Sequence, residues 1–357
     1  MNGSADVERL DNFVFPGPDE TVMLAAAERW NSVAKPLGSL GRLEEAVIRI
    51  AGLTGDANYR PEKRAVLVLC ADNGVVGQGV TQTGSEVTAV LARNLVRGGV
   101  SVSRMAAVAS ADVVGVDMGM NVDLRLDGLL DRRVAAGTGD LSLGPAMSRE
   151  QAVKAIRHGV ELVADMRDKG YRILATGELG IGNTTTSSAM AAVLLGRKPV
   201  EVTGRGAGLS TEGVRRKVAV IERAIAVNRP DPADPLDVLA KLGGFDLAGL
   251  VGVFLGGAVY QTPILIDGLI SSVAALTALR MRPESGCAML ASHVSAEPAG
   301  QMTLDALGLK PLICADMCLG EGTGAIAALP LLDMAYAVYG EASTYEDIAI
   351  DRYRPLS

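Results

Sequence analysis

Aromatic residues make up only 3% of this 357-residue chain, with a single Trp. That scarcity excludes an aromatic-lined groove as the main recognition surface and favours close packing of small aliphatic residues. There are two histidines, His158 and His293, too few for a histidine-built metal centre, and no metal is expected. The four cysteines, Cys70, Cys287, Cys314 and Cys318, form no C-x-x-C pair. They read as reduced core thiols of a cytoplasmic protein rather than disulfide partners or metal ligands. Lys and Arg nowhere cluster and the net charge is −7, which argues against a nucleic-acid partner. The N-terminus has no basic segment followed by an apolar core, so no signal peptide is expected. The longest apolar stretches, such as Leu247 to Val259, are glycine-interrupted and too short to predict a membrane span.

Present in abundance are Ala, Val and 42 glycines, within a chain that is 48% apolar. Unalternating apolar runs occur at Ala65–Cys70, Ala111–Val116, Tyr171–Ala175, Pro263–Ile266 and Pro311–Cys314. Runs of this kind suit strands buried on both faces of a parallel sheet. Helical patterns lie between them. The clearest begins at Ser148, where Gln151 completes a capping box. It buries Val153, Ile156, Val160, Val163 and Met166, and stops at Gly170. His158 lies opposite that stripe and is expected in solvent. Alternating strands and helices predict an α/β fold, a doubly wound and mostly parallel sheet. Ligands then belong at the carboxyl ends of the strands. Residues 61–325 form the expected α/β catalytic domain, and 1–60 with 326–357 a smaller helical domain built from both chain termini. Within it, Met1 to Gly17 reads as loose, and helices are expected at Asp19–Trp30 and Leu43–Thr54.

The segment Thr176 to Thr185 reads T-G-E-L-G-I-G-N-T-T. It follows an apolar run and opens a small-residue helix, a strand–loop–helix order that presents backbone N–H groups to an anion. Glu178 sits inside it. A second glycine-bracketed carboxylate occurs in Leu319-Gly320-Glu321-Gly322-Thr323-Gly324. Glu321 there is either a general base or a turn glutamate. Gly204-Arg205-Gly206-Ala207-Gly208 forms another flexible loop, ahead of Lys217. Lys217 is either a point charge for a phosphate or a solvated helix residue. The segment Ser292-His293-Val294-Ser295-Ala296-Glu297 lacks the serine-hydrolase elbow, and His293 reads as structural. Asp72, Asp117, Asp246 and Asp267 follow strands or begin helices, where N-capping competes with catalysis. A dehydrogenase reading fails because Asp72-Asn73-Gly74-Val75-Val76-Gly77 is no dinucleotide fingerprint.

Taken together, seven segments resemble the nicotinate-nucleotide:dimethylbenzimidazole phosphoribosyltransferase family. They are KPLGSLGRLE (35–44), ADNGV (71–75), GPAMSR (144–149), GELGIGNTT (177–185), KLGGFDLAG (241–249), SHVSAE (292–297) and LGEGTGA (319–325). The resemblance implies transfer of phosphoribose from nicotinate mononucleotide to an aromatic base, with inversion to an α-riboside and release of nicotinate, without cofactor. It implies Glu321 as the base and Glu178 as a second active-site acid. Gly180, Ile181, Gly182, Asn183 and Thr184 would cradle the phosphate, with Gly204, Gly206, Lys217 and Ser295 supporting phosphate and ribose. The implied acceptor pocket comprises Asn73, Thr83, Leu91, Cys318 and Leu319. Asn73, Leu91 and Cys318 replace a histidine, a glutamine and an arginine of the family, an expectation of altered acceptor choice toward other benzimidazoles, purines or phenols. A homodimer is implied; a heterodimer with a paralogue and a non-catalytic paralogue are the alternatives, and retention of Glu321 favours an enzyme.

Overall fold

The computed structural model of the chain describes residues 13–354; the expectation for Met1 to Gly17 lies largely outside them. Six strands form one sheet: β1 (Arg64–Ala71), β2 (Asp112–Gly119), β3 (Leu129–Asp131), β4 (Ile173–Leu179), β5 (Ile264–Ile266) and β6 (Met289–Ala291). Their order is β3-β2-β1-β4-β5-β6 and every pairing is parallel. The sheet is wholly parallel, as its continuous apolar runs require. β1 is buried from Ala65 to Ala71 and β4 along its whole length. The chain leaves β1 in one direction toward β2 and β3, then returns to place β4 on its other side. The β1/β4 boundary is therefore the topological switch point, where an open α/β sheet leaves a crevice beyond its strand ends.

One of the five expected strands needs correction. Pro311–Cys314 is no strand of the sheet. It lies beside the end of β6, with Leu312 N donating to Ala291 O and Ile313 N to Ser292 O, and makes only an isolated bridge, His293 to Ile313. The edge place belongs to Met289–Ala291, which, like β3, the apolar runs did not reveal. Both are three residues long, as is β5, which its apolar run did reveal. Because 311–314 runs along the sheet's outer margin, Cys314 is exposed; Cys318, in the loop that follows, is exposed as well, and Cys287, in the turn before β6, is half-buried. Cys70 alone among them is a core thiol.

Helices cover both faces. On one, helix Arg149–Asp168 packs against helix Phe245–Val259. The approach is so close that a β-carbon on Gly159 would lie 2.0 Å from the Gly249 carbonyl, and one on Gly252 1.9 Å from the Ile156 carbonyl. Glycine is required at these positions by backbone contact rather than by conformation. The capping box is present, with Ser148 accepting from Gln151 N and Gln151 from Ser148 N. His158 is half-buried rather than solvated; its Nδ1 lies 2.7 Å from Arg132 O. On the other face, helices Glu20–Ser32, Arg42–Thr54 and Thr323–Glu341 share one cluster with Val66 and Val68 of β1. Among the described residues, Thr323–Glu341 is the one helix long and apolar enough to cross a membrane. It is packed into this cluster through Ile326, Leu329 and Leu332.

Candidate active site

A cleft of 360 Å³ opens beyond the carboxyl ends of β4, β5 and β6, of a size to hold a nucleotide-sized ligand. Residues 178–184, the end of β4 and the turn that follows it, form part of its lining, so Glu178 stands on the strand and not inside the loop where the sequence reading put it. Gly182 takes a left-handed conformation, φ 94°, and helix Asn183–Leu195 begins at once. The sequence dictates this break. Only glycine enters that backbone region freely, and a β-carbon there would meet Val76 at 2.9 Å. The small residues that follow let the helix sink almost completely into the core. Its amino terminus is thus fixed rigidly at the cleft.

Lys217 is fully buried, and its Nζ donates to Thr184 Oγ1 at 2.8 Å. Burial pulls its pKa from 10.5 down to about 8, against an opposing pull from Glu297. It stands behind the cleft lining rather than in it. The Gly204–Gly208 loop folds over the same helix start: a β-carbon on Gly206 would lie 2.8 Å from Thr184 Oγ1. Glu297 ties that loop down by accepting from Gly206 N at 3.0 Å. Gly204 is packed against Glu297 and, like Lys217, does not line the cleft. Ser295 does, beside His293 and Gly268. This end joins a helix amino terminus to the buried Lys217 and the lining Arg205, with Glu297 beside them.

The opposite end carries Glu321, Glu178 and Asp267. Glu321 has φ 62°, a left-handed conformation rare for a residue with a side chain and costing of order 1–3 kcal/mol. Three contacts impose it. Asp267, at the end of β5, accepts from Gly322 N (3.1 Å), Gly324 N (2.8 Å) and Ala325 N (3.1 Å). The Glu321 backbone lies directly on β4, so that a β-carbon on Gly177 would be 2.3 Å from Glu321 O. Val102 N, in the first turn of helix Ser101–Val108, donates to Glu321 Oε2 at 3.0 Å. The two glycine-bracketed glutamates are therefore adjacent, and their glycines are the surfaces on which the turns meet. A β-carbon on Gly320 would come within 2.8 Å of Glu178 Oε1. Glu178 is buried, and Asn183 Nδ2 donates to its Oε2. Burial first, and Asp246 next, push its pKa well above the ordinary carboxyl range.

Thr83, Leu91, Cys318 and Leu319 line the cleft, whereas Asn73 lies beneath it and donates from Nδ2 to Ile181 O at 3.3 Å. Sequence reasoning passed over Asp267 as a cap and His293 as structural. Both line the cleft. Burial lowers the His293 pKa. Among the described residues, no group of three or more His, Cys, Asp or Glu side chains is arranged to hold a metal.

Comparison with known proteins places the chain among relatives of one family. The model of the phosphoribosyltransferase family matches residues 15–350. The nicotinate-nucleotide–dimethylbenzimidazole phosphoribosyltransferase of Ruminiclostridium cellulolyticum is 45% identical over 94% of this chain and 95% of its own. The protein of the same name from Chloroflexus aggregans is 46% identical over 94% and 95%. The crystal structure of CobT from Thermus thermophilus superposes with a TM-score of 0.88 at 39% identity, over 93% of this chain and 100% of that one. The chain belongs to the nicotinate-nucleotide–dimethylbenzimidazole phosphoribosyltransferase family.

Proposed function

We propose that this protein transfers the phosphoribosyl group of nicotinate mononucleotide to 5,6-dimethylbenzimidazole or a related lower-ligand base of cobamides. The unprotonated ring nitrogen of the base attacks C1′ from the face opposite the leaving group. The C1′–N bond breaks with its electron pair returning to the pyridinium nitrogen, which leaves as neutral-ring nicotinate. Inversion gives the α-riboside 5′-phosphate. The other ring nitrogen loses its proton to Glu321. Because the leaving group is already cationic at nitrogen, no acid is needed for departure. Alignment and a base carry the reaction.

The observation that carries this reading is the convergence of Glu321 and the 178–184 turn on one cleft. An amide-rich helix start with Lys217 behind it suits the 5′-phosphate. A less polar wall with Leu91 and Leu319 suits a flat heterocycle. The relatives' names do not favour a phenol or purine acceptor. A homomeric, cytoplasmic enzyme is the form proposed, and the free cysteines fit that setting. The test is incubation of the purified chain with nicotinate mononucleotide and a mixed set of aromatic bases, with mass detection. An α-riboside phosphate of dimethylbenzimidazole plus equimolar nicotinate is expected. Hydrolysis alone, or no consumption of the nucleotide, overturns the reading.

A further inference from the structure

Asp246 opens helix Phe245–Val259 and is fully buried. Its Oδ1 accepts from Leu247 N at 2.9 Å, the next residue, and does not cap the helix, whose N-cap is Gly244. Its Oδ2, however, accepts from Asn183 Nδ2 at 3.0 Å, and the same amide nitrogen donates to Glu178 Oε2. One neutral amide thus bridges two buried carboxyl groups. Among the described residues no Lys, Arg or His side chain hydrogen-bonds or ion-pairs with either acid. The titratable groups that act on the pair are acids, Asp267 and Glu321 on Glu178 and Asp72 on Asp246, and both members of the pair raise the pKa of the Cys70 thiol. Asn73 Oδ1, a buried acceptor with no donor, lies beside the same Gly244 as Asp246 Oδ1. Two negative charges cannot both persist in such a place, since like charges held close and out of water force one group to keep its proton.

The remaining pocket carboxylates are committed differently. Asp267 holds three backbone amides. Glu297 holds Gly206 N beside Lys217. Resting on the transferase reading above, we propose that Asp246, acting through Asn183, is a positioning residue that retains a shared proton on the Glu178–Asp246 pair. Glu178 then faces the cleft as a neutral O–H donor, and Glu321 alone is left to take the proton of the incoming base. Direction of proton transfer follows from this division of labour, and the cleft avoids one more negative charge beside Glu321, Asp267 and Glu297 that would repel an anionic donor. Burial places Asp246 at about 6 and Glu178 well above the carboxyl range, which agrees with a proton held at neutral pH.

Two measurements test this. Infrared difference spectra of the full chain without substrates, at neutral pH, should show a protonated carboxylic acid band that is lost in Glu178→Gln. Absence of that band in the parent overturns the shared proton whether or not the protein is a transferase. The second is the pH profile of kcat/KM for the base. Asp246→Asn removes the like charge and should move the alkaline limb toward acid by about one to three pH units. In a Glu178→Gln background the same substitution should produce no shift. A role for Asp246 in folding alone would lower activity equally at all pH values, and that result overturns the proposal. Should Asp246→Asn not fold, the infrared band decides.

Discussion

Replacing Lys217 by Met should make the protein more stable and a poorer binder of its donor. The ammonium is fully buried, and its pKa falls from 10.5 to about 8 because it has lost its water. A fall of that size costs the folded state on the order of 3 kcal/mol at neutral pH. Its side-chain hydrogen bond is to a neutral hydroxyl, Thr184 Oγ1. Met fills the same volume without charge. Melting of Lys217→Met at pH 7 should therefore occur about 4 °C above the parent for a chain of this length. The sign of the pH dependence follows from linkage. The unfolded chain keeps the Lys217 proton to about pH 10, whereas the folded chain releases it near pH 8. The penalty is thus full below pH 8 and is relieved between about pH 8 and 10, so the two melting curves should converge over that window. Donor binding moves the opposite way. Loss of a charge-assisted contact costs ~1.5–3 kcal/mol, or ~10–100-fold in Kd for nicotinate mononucleotide. Parent affinity should also decline above pH 8 while that of the variant stays flat. Scanning calorimetry and titration calorimetry at pH 7 and 9 read both effects. A variant that melts lower than the parent at pH 7 and binds the nucleotide equally well would refute the reasoning.

Gly177→Ala drives a β-carbon into the Glu321 carbonyl, 2.3 Å away. Backbone cannot yield as a side chain does, so kcat should fall by at least ~10-fold, in the manner of misplaced catalytic groups; steady-state rates with unchanged donor KM would show this. Asp267→Asn leaves one oxygen for three amides and turns N–H groups toward the amides it should accept from. It should cost ~1–3 kcal/mol of stability and lower kcat together, read by denaturant melts and turnover; full activity would contradict the anchoring role.

The parts legible in the sequence are those with long periodic signals. β1 is a continuous apolar run, and the expected strand matches it to one residue at each end; β4 overlaps its expected run only at Ile173–Ala175, because Thr176–Leu179 carry the strand on into the segment read as a loop. The turn at 177–185 announces itself through glycines, and the structure shows that Gly177 serves backbone contact with the Glu321 turn. Lys217 was ambiguous, yet its spacing held the answer. The buried face of helix Thr211–Asn228 comprises Gly213, Lys217, Val220, Ile221, Ala224 and Asn228, a helical stripe on which 217 falls. A cation on that stripe is buried by geometry, whatever its propensity. Asp246 and Asp267 were illegible as site residues because capping aspartates occupy the same local patterns. Their partners, Asn183 and the 322–325 amides, lie 55 or more positions away in the chain. The cysteines at 314 and 318 misled because an apolar run at a sheet margin looks like one in its centre.

The account depends on Glu321 acting on the heterocycle while the 178–184 turn and Lys217 hold the phosphate. The most direct measurement is single-turnover formation of the α-riboside by Glu321→Ala beside its Kd for nicotinate mononucleotide. The expected result is a rate reduced by ~10²–10⁴ with donor affinity within a few-fold of the parent. A rate close to that of the parent, or a collapse of donor binding with chemistry intact, would contradict it.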